Sequence, residues 1–420
     1  MTINLDISAL IHQNRSGTVT GLPCFCTANE LVIRSLFQYA SDNKVPVIIE
    51  ATCNQVNQEG GYTGMSATDF YHWIESLSTH YGVSSDNVIL GGDHLGPNPW
   101  RHLPPQEAMG NAAVLVKDYA AAGFRKIHLD ASMACGNEPT PSFELVAQRA
   151  ARLCKIAEEH SPHPDELFYI IGTEVPVPGG ETDDMDELAV TSVSRLQETI
   201  ETHQMAFEQE ALSHVWPRIA SVVTQPGVDF SHTAIHRFAP DEASELATAI
   251  LDVDNLSFEA HSTDYQPTEA LAELVQQHFF FLKVGPELTF RMREAVLSLA
   301  SIESHLFDEQ DRSGLTRAID QAMSENSDHW TPYYSGDDIA LKQLKTFSYS
   351  DRIRYYWTVP EVKTALNKLF SNLDKQKLPE TILSQYFSDR EFGASTVTAE
   401  ELTTQHIAKC IGRYYKACGY

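Results

Sequence analysis

Val88-Ile89-Leu90-Gly91-Gly92-Asp93-His94 is the stretch that decides the fold. A short apolar run stops abruptly on a carboxylate and an imidazole. A strand buried on both faces reads as such a run, and the polar residues that end it fall where the strand meets its loop. Six further segments share this grammar: Val47-Ile48-Ile49-Glu50, Lys126-Ile127-His128-Leu129-Asp130, Phe168-Tyr169-Ile170-Ile171-Gly172-Thr173-Glu174, Ile219-Ala220-Ser221-Val222-Val223-Thr224-Gln225, Ser257-Phe258-Glu259-Ala260-His261 and Phe279-Phe280-Phe281-Leu282-Lys283. Most of the gaps between them read as amphipathic helix. That recurrence predicts a (β/α)8 TIM barrel, which presents its chemistry where each strand ends.

Working outward, Val19–Cys26 is expected to be the first strand. The others are placed at Val45–Glu50, Val88–Gly92, Lys126–Leu129, Phe168–Gly172, Ile219–Val223, Leu256–Phe258 and Phe279–Val284, with Asp93 and His94 in the loop after the third. A helix over Thr289–Leu306 completes the cycle, so residues 1–308 are assigned to the barrel. Residues 309–420 carry helical patterns and few strand signals. They are expected to form a helical C-terminal extension packed on the barrel.

The chain has 420 residues, 42% of them hydrophobic, which suits one barrel plus an appendage. A net charge of −27 and the lack of a basic stripe argue against nucleic acid and anionic lipid. Nothing reads as a signal peptide or a membrane span. Seven scattered cysteines suggest a reduced, cytoplasmic protein. Cys24 and Cys26 share a strand face without a second pair, so core packing is preferred to a zinc site.

Ionisable groups at strand ends are costly to bury at random, so they are expected to converge on one ligand. Asp93 and His94 suit either a divalent metal with an adjoining acid or a hydrogen-bonded structural pair. His261 adds a second imidazole, with Glu259 two residues earlier on the same face. Such a mixed nitrogen and oxygen set favours Zn²⁺, Mn²⁺ or Co²⁺ over Ca²⁺. Glu174, ahead of a Pro-Gly-Gly loop, is a candidate metal ligand or base. Glu50 and Asp130 are similar strand-end acids, and Asn54 and Gln55 lie in a polar loop over the barrel mouth. Gly179 and Gly180, with Ser262 and the nearby Asp264, are placed to meet phosphate or sugar oxygens. Lys283, Arg352 and Arg354 are candidate sources of positive charge; a structural salt bridge is the alternative for the two arginines. No GxxxxGK[ST], GxGxxG after a strand, or GxSxG occurs, so a P-loop kinase, a dinucleotide enzyme and a serine hydrolase are unsupported.

The motifs ATCNQVNQEGGYTGM, GGDHLGPN, KIHLDASM, GTEVPVPGGE, QPGVDF, EAHSTDYQ, LKVGP and SDRIRYYW, in this order, resemble the GatZ/KbaZ family. These are subunits of class II tagatose-1,6-bisphosphate aldolase that are described as non-catalytic. The resemblance runs from about Cys24 to about Trp357. It implies a barrel of the class II aldolase kind and a role in galactitol, tagatose or N-acetylgalactosamine breakdown. It also implies two functions: an accessory subunit bound to a catalytic aldolase partner, or a metal-dependent ketose 4-epimerase acting on tagatose and fructose or their phosphates. The catalytic subunits, as distant relatives, carry metal-binding His after strands three, six and seven. Here His94 and His261 match the first and third places, Gln225 stands at the middle one, and Asp93 matches the aldolase acid. The expected ligands are therefore a sugar or sugar phosphate and a divalent metal, Zn or Mn, held by His94, His261, Glu174 and Glu259. Asp93 and Glu174 are the expected acid–base groups, and an oligomer is expected.

Overall fold

The computed structural model describes residues 5–173, 188–387 and 397–420. It divides into two compact units. The first comprises residues up to 28, Leu36–Gly285 and Gly412–Tyr420; the second comprises Asn29–Ser35 and Pro286–Ile411. The division thus falls at Gly285/Pro286 instead of near residue 308, and the last residues of the chain belong with the first unit.

Eight parallel strands close the barrel of the first unit: β1 (Leu22–Cys26), β2 (Val47–Thr52), β3 (Val88–Leu95), β4 (Lys126–Leu129), β5 (Phe168–Ile171), β6 (Ile219–Val223), β7 (Ser257–Ala260) and β8 (Phe279–Val284). Each strand pairs with its neighbours in chain order, and β8 returns to β1. The helices between them include Ala67–His80, Pro105–Ala122 and Phe143–His160. A short antiparallel ribbon, Asp229–Phe230 with Ile235–His236, decorates the segment after β6.

Side chains alternate across each strand, so every second residue points into the barrel. At the N-terminal end the inward residues are hydrocarbon: Leu22, Ile48, Ile89, Phe168, Ile170 and Phe281 form one buried cluster with Leu5, Ile7 and Ile11. The last two belong to the helix Ile7–Arg15, which closes this end of the barrel. Its Asn14 donates to the carbonyls of Thr20 and Val275 at 2.8 Å, and Arg15 donates to those of Ile250 and Leu256. The buried polar side chains of the barrel interior therefore lie above this layer, toward the C-terminal end of the strands.

β3 departs from regular alternation. Gly92 and Leu95 pair with Ile127 and Leu129, so β3 carries one extra residue over that span. His94 within it has φ 50, the left-handed region that bulky residues avoid. Asp93 and His94 therefore belong to the strand, not to the following loop as expected from the sequence. In a flat strand they would face opposite sides; the bulge leaves both buried and both engaged with interior groups.

Beyond the bulge, the backbone at Gly96 runs against β4's exit. A Cβ there would meet the carbonyl oxygen of Asp130 at 1.6 Å. Gly96→Ala is expected to cost about 3 kcal/mol or more in urea unfolding. An unchanged midpoint would show that the two loops part freely.

Candidate functional site

Above the hydrocarbon layer, the same alternation turns polar residues inward: Glu50 two after Ile48, Lys126 and His128 on β4, Glu259 on β7 with His261 after it, and Lys283 two after Phe281. Glu50, Lys126, His128 and Glu259 are fully buried, and Asp93, His94, Asp130, His261 and Lys283 nearly so. Lys126 Nζ lies 2.5 Å from Glu50 Oε1 and 2.6 Å from Glu259 Oε2. Lys283 Nζ contacts Glu50 Oε2 and lies 2.7 Å from Asp93 Oδ1. Three carboxylates contact these two ammonium groups, and Asp130 adds a fourth acid beside them, which leaves an excess of negative charge before the imidazoles are counted.

Three imidazoles sit in that excess. Their ring centroids are 5.0 Å (His94–His128), 4.9 Å (His94–His261) and 5.1 Å (His128–His261) apart. Each is braced by a carboxylate at one nitrogen: His94 Nδ1 by Asp130 Oδ2 at 2.9 Å, His128 Nδ1 by Asp93 Oδ1 at 3.0 Å, and His261 Nε2 by Glu259 Oε1 at 2.9 Å. His128 Nδ1 also accepts from the His94 amide at 3.1 Å, and His128 Nε2 is buried with no hydrogen-bond partner among the described residues. A carboxylate that orients an imidazole in this way is the usual support of a metal-binding histidine.

Ligand atoms of Asp93, His128, Glu259 and His261 all lie within 4.8 Å of one another. The residues present therefore fit a divalent cation, with nitrogen and oxygen donors suited to Zn²⁺ or Mn²⁺. His94 flanks this group without belonging to it, since its Nε2 is turned toward Asp93 Oδ2 at 3.8 Å.

The electrostatics follow from burial and these pairings. Burial alone would lower His94, but Asp93 and Asp130 outweigh it and push the imidazole up to about 9. Burial raises Asp130, yet the bond from His94 pulls it down to about 2. Asp93 is likewise held well below the carboxylate range by His94 and by the bond from His128. His261 is lowered, chiefly by burial, and so is a neutral donor, as a metal ligand must be.

The residues expected from the sequence divide into several groups. Glu50, Asp93, His94, Asp130, Glu259, His261 and Lys283 meet in one hollow. Glu174, Gly179 and Gly180 lie outside the described residues. Gln225 spends its amide oxygen on its own loop, accepting from Gly227 and Val228 at 2.8 and 2.9 Å, which leaves it unsuited as a metal ligand. Gln55 caps Thr52 through Oε1 at 2.9 Å, and the half-buried Asn54 accepts at its backbone oxygen from Tyr62. Asp264 accepts from the Gly285 amide at 3.0 Å, and Ser262 precedes it with φ 52, so both shape the rim. Arg352 and Arg354 belong to the second unit.

Two residues were missed. Lys126 and His128 sit inside Lys126-Ile127-His128-Leu129, whose alternation of polar and apolar residues is itself the signal that both point inward. His128 supplies a third imidazole from β4, where the resemblance suggested one after β6.

A profile of the family described as D-tagatose-1,6-bisphosphate aldolase subunit GatZ/KbaZ-like matches residues 7–419. The chain belongs to this family. Among solved structures, it is similar to the crystal structure of a probable tagatose 6 phosphate kinase from Sinorhizobium meliloti 1021, with 39% identity over 95% of this chain and 100% of that one and a TM-score of 0.87. More distant are the YdjI aldolase from Escherichia coli K12, at 15% identity over 86% of this chain and 96% of that one and TM-score 0.42, and a fructose-bisphosphate aldolase from Campylobacter jejuni, at 12% identity over 88% and 92% and TM-score 0.43. Membership of the GatZ/KbaZ-like family relates the chain to tagatose-bisphosphate aldolase chemistry.

The pairing of His94 has a consequence for the metal-free protein. A histidine raised from 6.5 to about 9 on folding stabilises the fold fully below pH 6.5 and loses that contribution as pH rises through 9. Asp130, lowered from 3.8 to about 2, contributes above pH 3.8 and is lost as pH falls through 2. The thermal midpoint of EDTA-treated protein is therefore expected to fall between pH 6.5 and 9, by at most about 3 kcal/mol of stability. A flat midpoint over that range would contradict the assigned pairings.

Proposed function

We propose that this chain is a metal-dependent ketose or ketose-phosphate 4-epimerase, interconverting tagatose and fructose forms by retro-aldol cleavage and readdition. The supporting observation is the convergence of three carboxylate-braced imidazoles beside a buried acid. A scaffold alone has no physical need of so many desolvated ionisable groups. When bound, a divalent cation supplies Lewis-acid stabilisation of the charge that develops on the ketose carbonyl oxygen.

The chain's own residues carry the proton. Asp93 Oδ1 is fixed by His128 and Lys283, at 3.0 and 2.7 Å, whereas Oδ2 meets only the Cys26 thiol, at 3.0 Å, among its hydrogen-bond partners. Asp93 Oδ2 is thus the atom placed to take the C4 hydroxyl proton. The C4–O bond then becomes a carbonyl, the C3–C4 bond breaks, and its electron pair passes to C3. Rotation of the aldehyde presents its other face. C3 attacks that face, and Asp93 returns the proton to the C4 oxygen with inverted configuration. No oxidant is consumed, in keeping with a chain that lacks a dinucleotide motif. Phosphoryl transfer is not part of this reading, since no P-loop sequence is present.

The family's description as an aldolase subunit favours a second reading, an accessory subunit that stabilises a catalytic aldolase by mass action. Co-purification with the catalytic subunit and a longer thermal lifetime of that partner support it; neither effect counts against it. The free state of all seven cysteines suits a reducing compartment such as the cytoplasm.

Purified protein with Mn²⁺ or Zn²⁺ is expected to convert tagatose 6-phosphate to fructose 6-phosphate, or the free sugars likewise. No exchange with any of these substrates by metal-replete protein sinks the epimerase reading. Asp93→Asn is expected to lower kcat about 10²–10⁴-fold. His128→Asn is expected to reduce bound metal, measured by elemental analysis, and full occupancy in that variant would remove His128 from the ligand set.

A further inference from the structure

The arginine and tyrosine segment Ser350-Asp351-Arg352-Ile353-Arg354-Tyr355-Tyr356-Trp357 takes no part in the barrel chemistry derived above. Within the second unit it forms a short 3-10 helix, Arg352–Tyr356, entered through Asp351 in the left-handed region at φ 44. The adjacent acid is already committed: Asp351 is fully buried, receives Arg293 Nη1 at 2.7 Å and accepts from Thr289 Oγ1 at 2.6 Å. Arg352 has no carboxylate partner among the described residues.

Arg352 is 3% exposed. Its guanidinium lies 3.0 Å from the centroid of the Tyr333 ring, and Nη1 donates to the His329 carbonyl at 3.1 Å. Nε is buried with no acceptor, and no described residue accepts from Nη2. The unpaired edge, Nε with Nη2, is one through which a guanidinium holds phosphate or carboxylate with two parallel bonds. Two more basic groups stand nearby. Arg354 packs on Tyr355 at 4.5 Å, and its Nη2 donates to that hydroxyl at 3.0 Å. The His329 ring stacks on Tyr355 as well, with centroids 4.5 Å apart. Burial and the charge of Arg354 both pull Arg352 downward, so the pair is mutually repulsive without a counter-ion. An unpaired buried cation is costly, and this one occurs in a chain of net charge −27.

We propose that Arg352, with Arg354 and His329 beside it, forms an anion site for a phosphate monoester. The unpaired guanidinium edge takes two phosphate oxygens, and the second cation balances the dianion. The cation–π contact with Tyr333 orients the guanidinium plane but cannot satisfy its N–H groups, which lie in that plane.

The test is calorimetric titration of the full-length protein with inorganic phosphate, tagatose 6-phosphate and unphosphorylated tagatose. Wild type and the barrel variant His128→Asn are expected to bind inorganic phosphate alike. Arg352→Gln is expected to weaken it by about tenfold or more, with a smaller loss in Arg354→Gln. Tighter binding of the sugar phosphate, lost in the same variants, identifies a phosphorylated sugar as the occupant; equal binding of free phosphate identifies a simple anion site of the same chemistry. Phosphate affinity unchanged in folded Arg352→Gln overturns the proposal. Should that variant not fold, selenate-soaked crystals of the wild type decide: an anomalous peak on the Nε–Nη2 edge supports the site, and its absence overturns it. These outcomes are independent of the tagatose–fructose exchange that tests the barrel.

Discussion

The barrel's chemistry depends on two buried ammonium groups. Lys126 joins Glu50 to Glu259, and Lys283 joins Glu50 to Asp93, so three buried carboxylates from β2, β3 and β7 are tied together by two cations. Stripping such ions of water costs several kcal/mol each, and only close pairing keeps them charged. Glu259 shows the balance: burial pushes it up, while Lys126 and His261 bring it down to about 2. Since Glu259 braces His261 and Asp93 braces His128, the lysines fix the imidazoles at one remove. The ammonium groups are thus part of the support of the proposed metal site, although neither touches an imidazole nitrogen.

Polarity within the barrel is layered by strand position. The helix Ile7–Arg15 and the phenylalanines of β5 and β8 fill the N-terminal half with hydrocarbon, including the stacked pair Phe168 and Phe281 at 6.0 Å. Lys126 Nζ rests 5.2 Å above the Phe281 ring, where the two layers meet. The low dielectric below strengthens every charge pair above it, and it leaves a ligand one end of the barrel from which to enter.

The eight strands were legible in the sequence because buried parallel strands are nearly pure apolar runs, and their observed bounds differ from the reading by a few residues. The convergence of strand-end acids and imidazoles was legible for the same reason: Glu50, Asp93, Asp130, Glu259, His261 and Lys283 each end or follow such a run. What escaped was set by inward alternation within a strand. Lys126 and His128 lie in a four-residue strand, where polar residues look like an interruption of the apolar signal. The commitment of Gln225 to its own loop was equally hidden, because a side chain that caps amides two and three residues ahead carries no periodic mark. The bulge was invisible for a similar reason: Asp93 and His94 read as loop, whereas pairing between β3 and β4 resumes at Leu95.

That single inserted residue makes the reactive centre separable from the architecture that carries it. Loss of one codon there would let β3 and β4 zip up without interruption and give a tidier sheet, while the Asp-His dipeptide would straddle the wall with one member facing the surrounding helices. A lineage can therefore lose the proposed chemistry and retain the shape in one genetic step. Strand length in this region of a descendant's gene is accordingly a sharper marker of retained function than the presence of the two letters themselves.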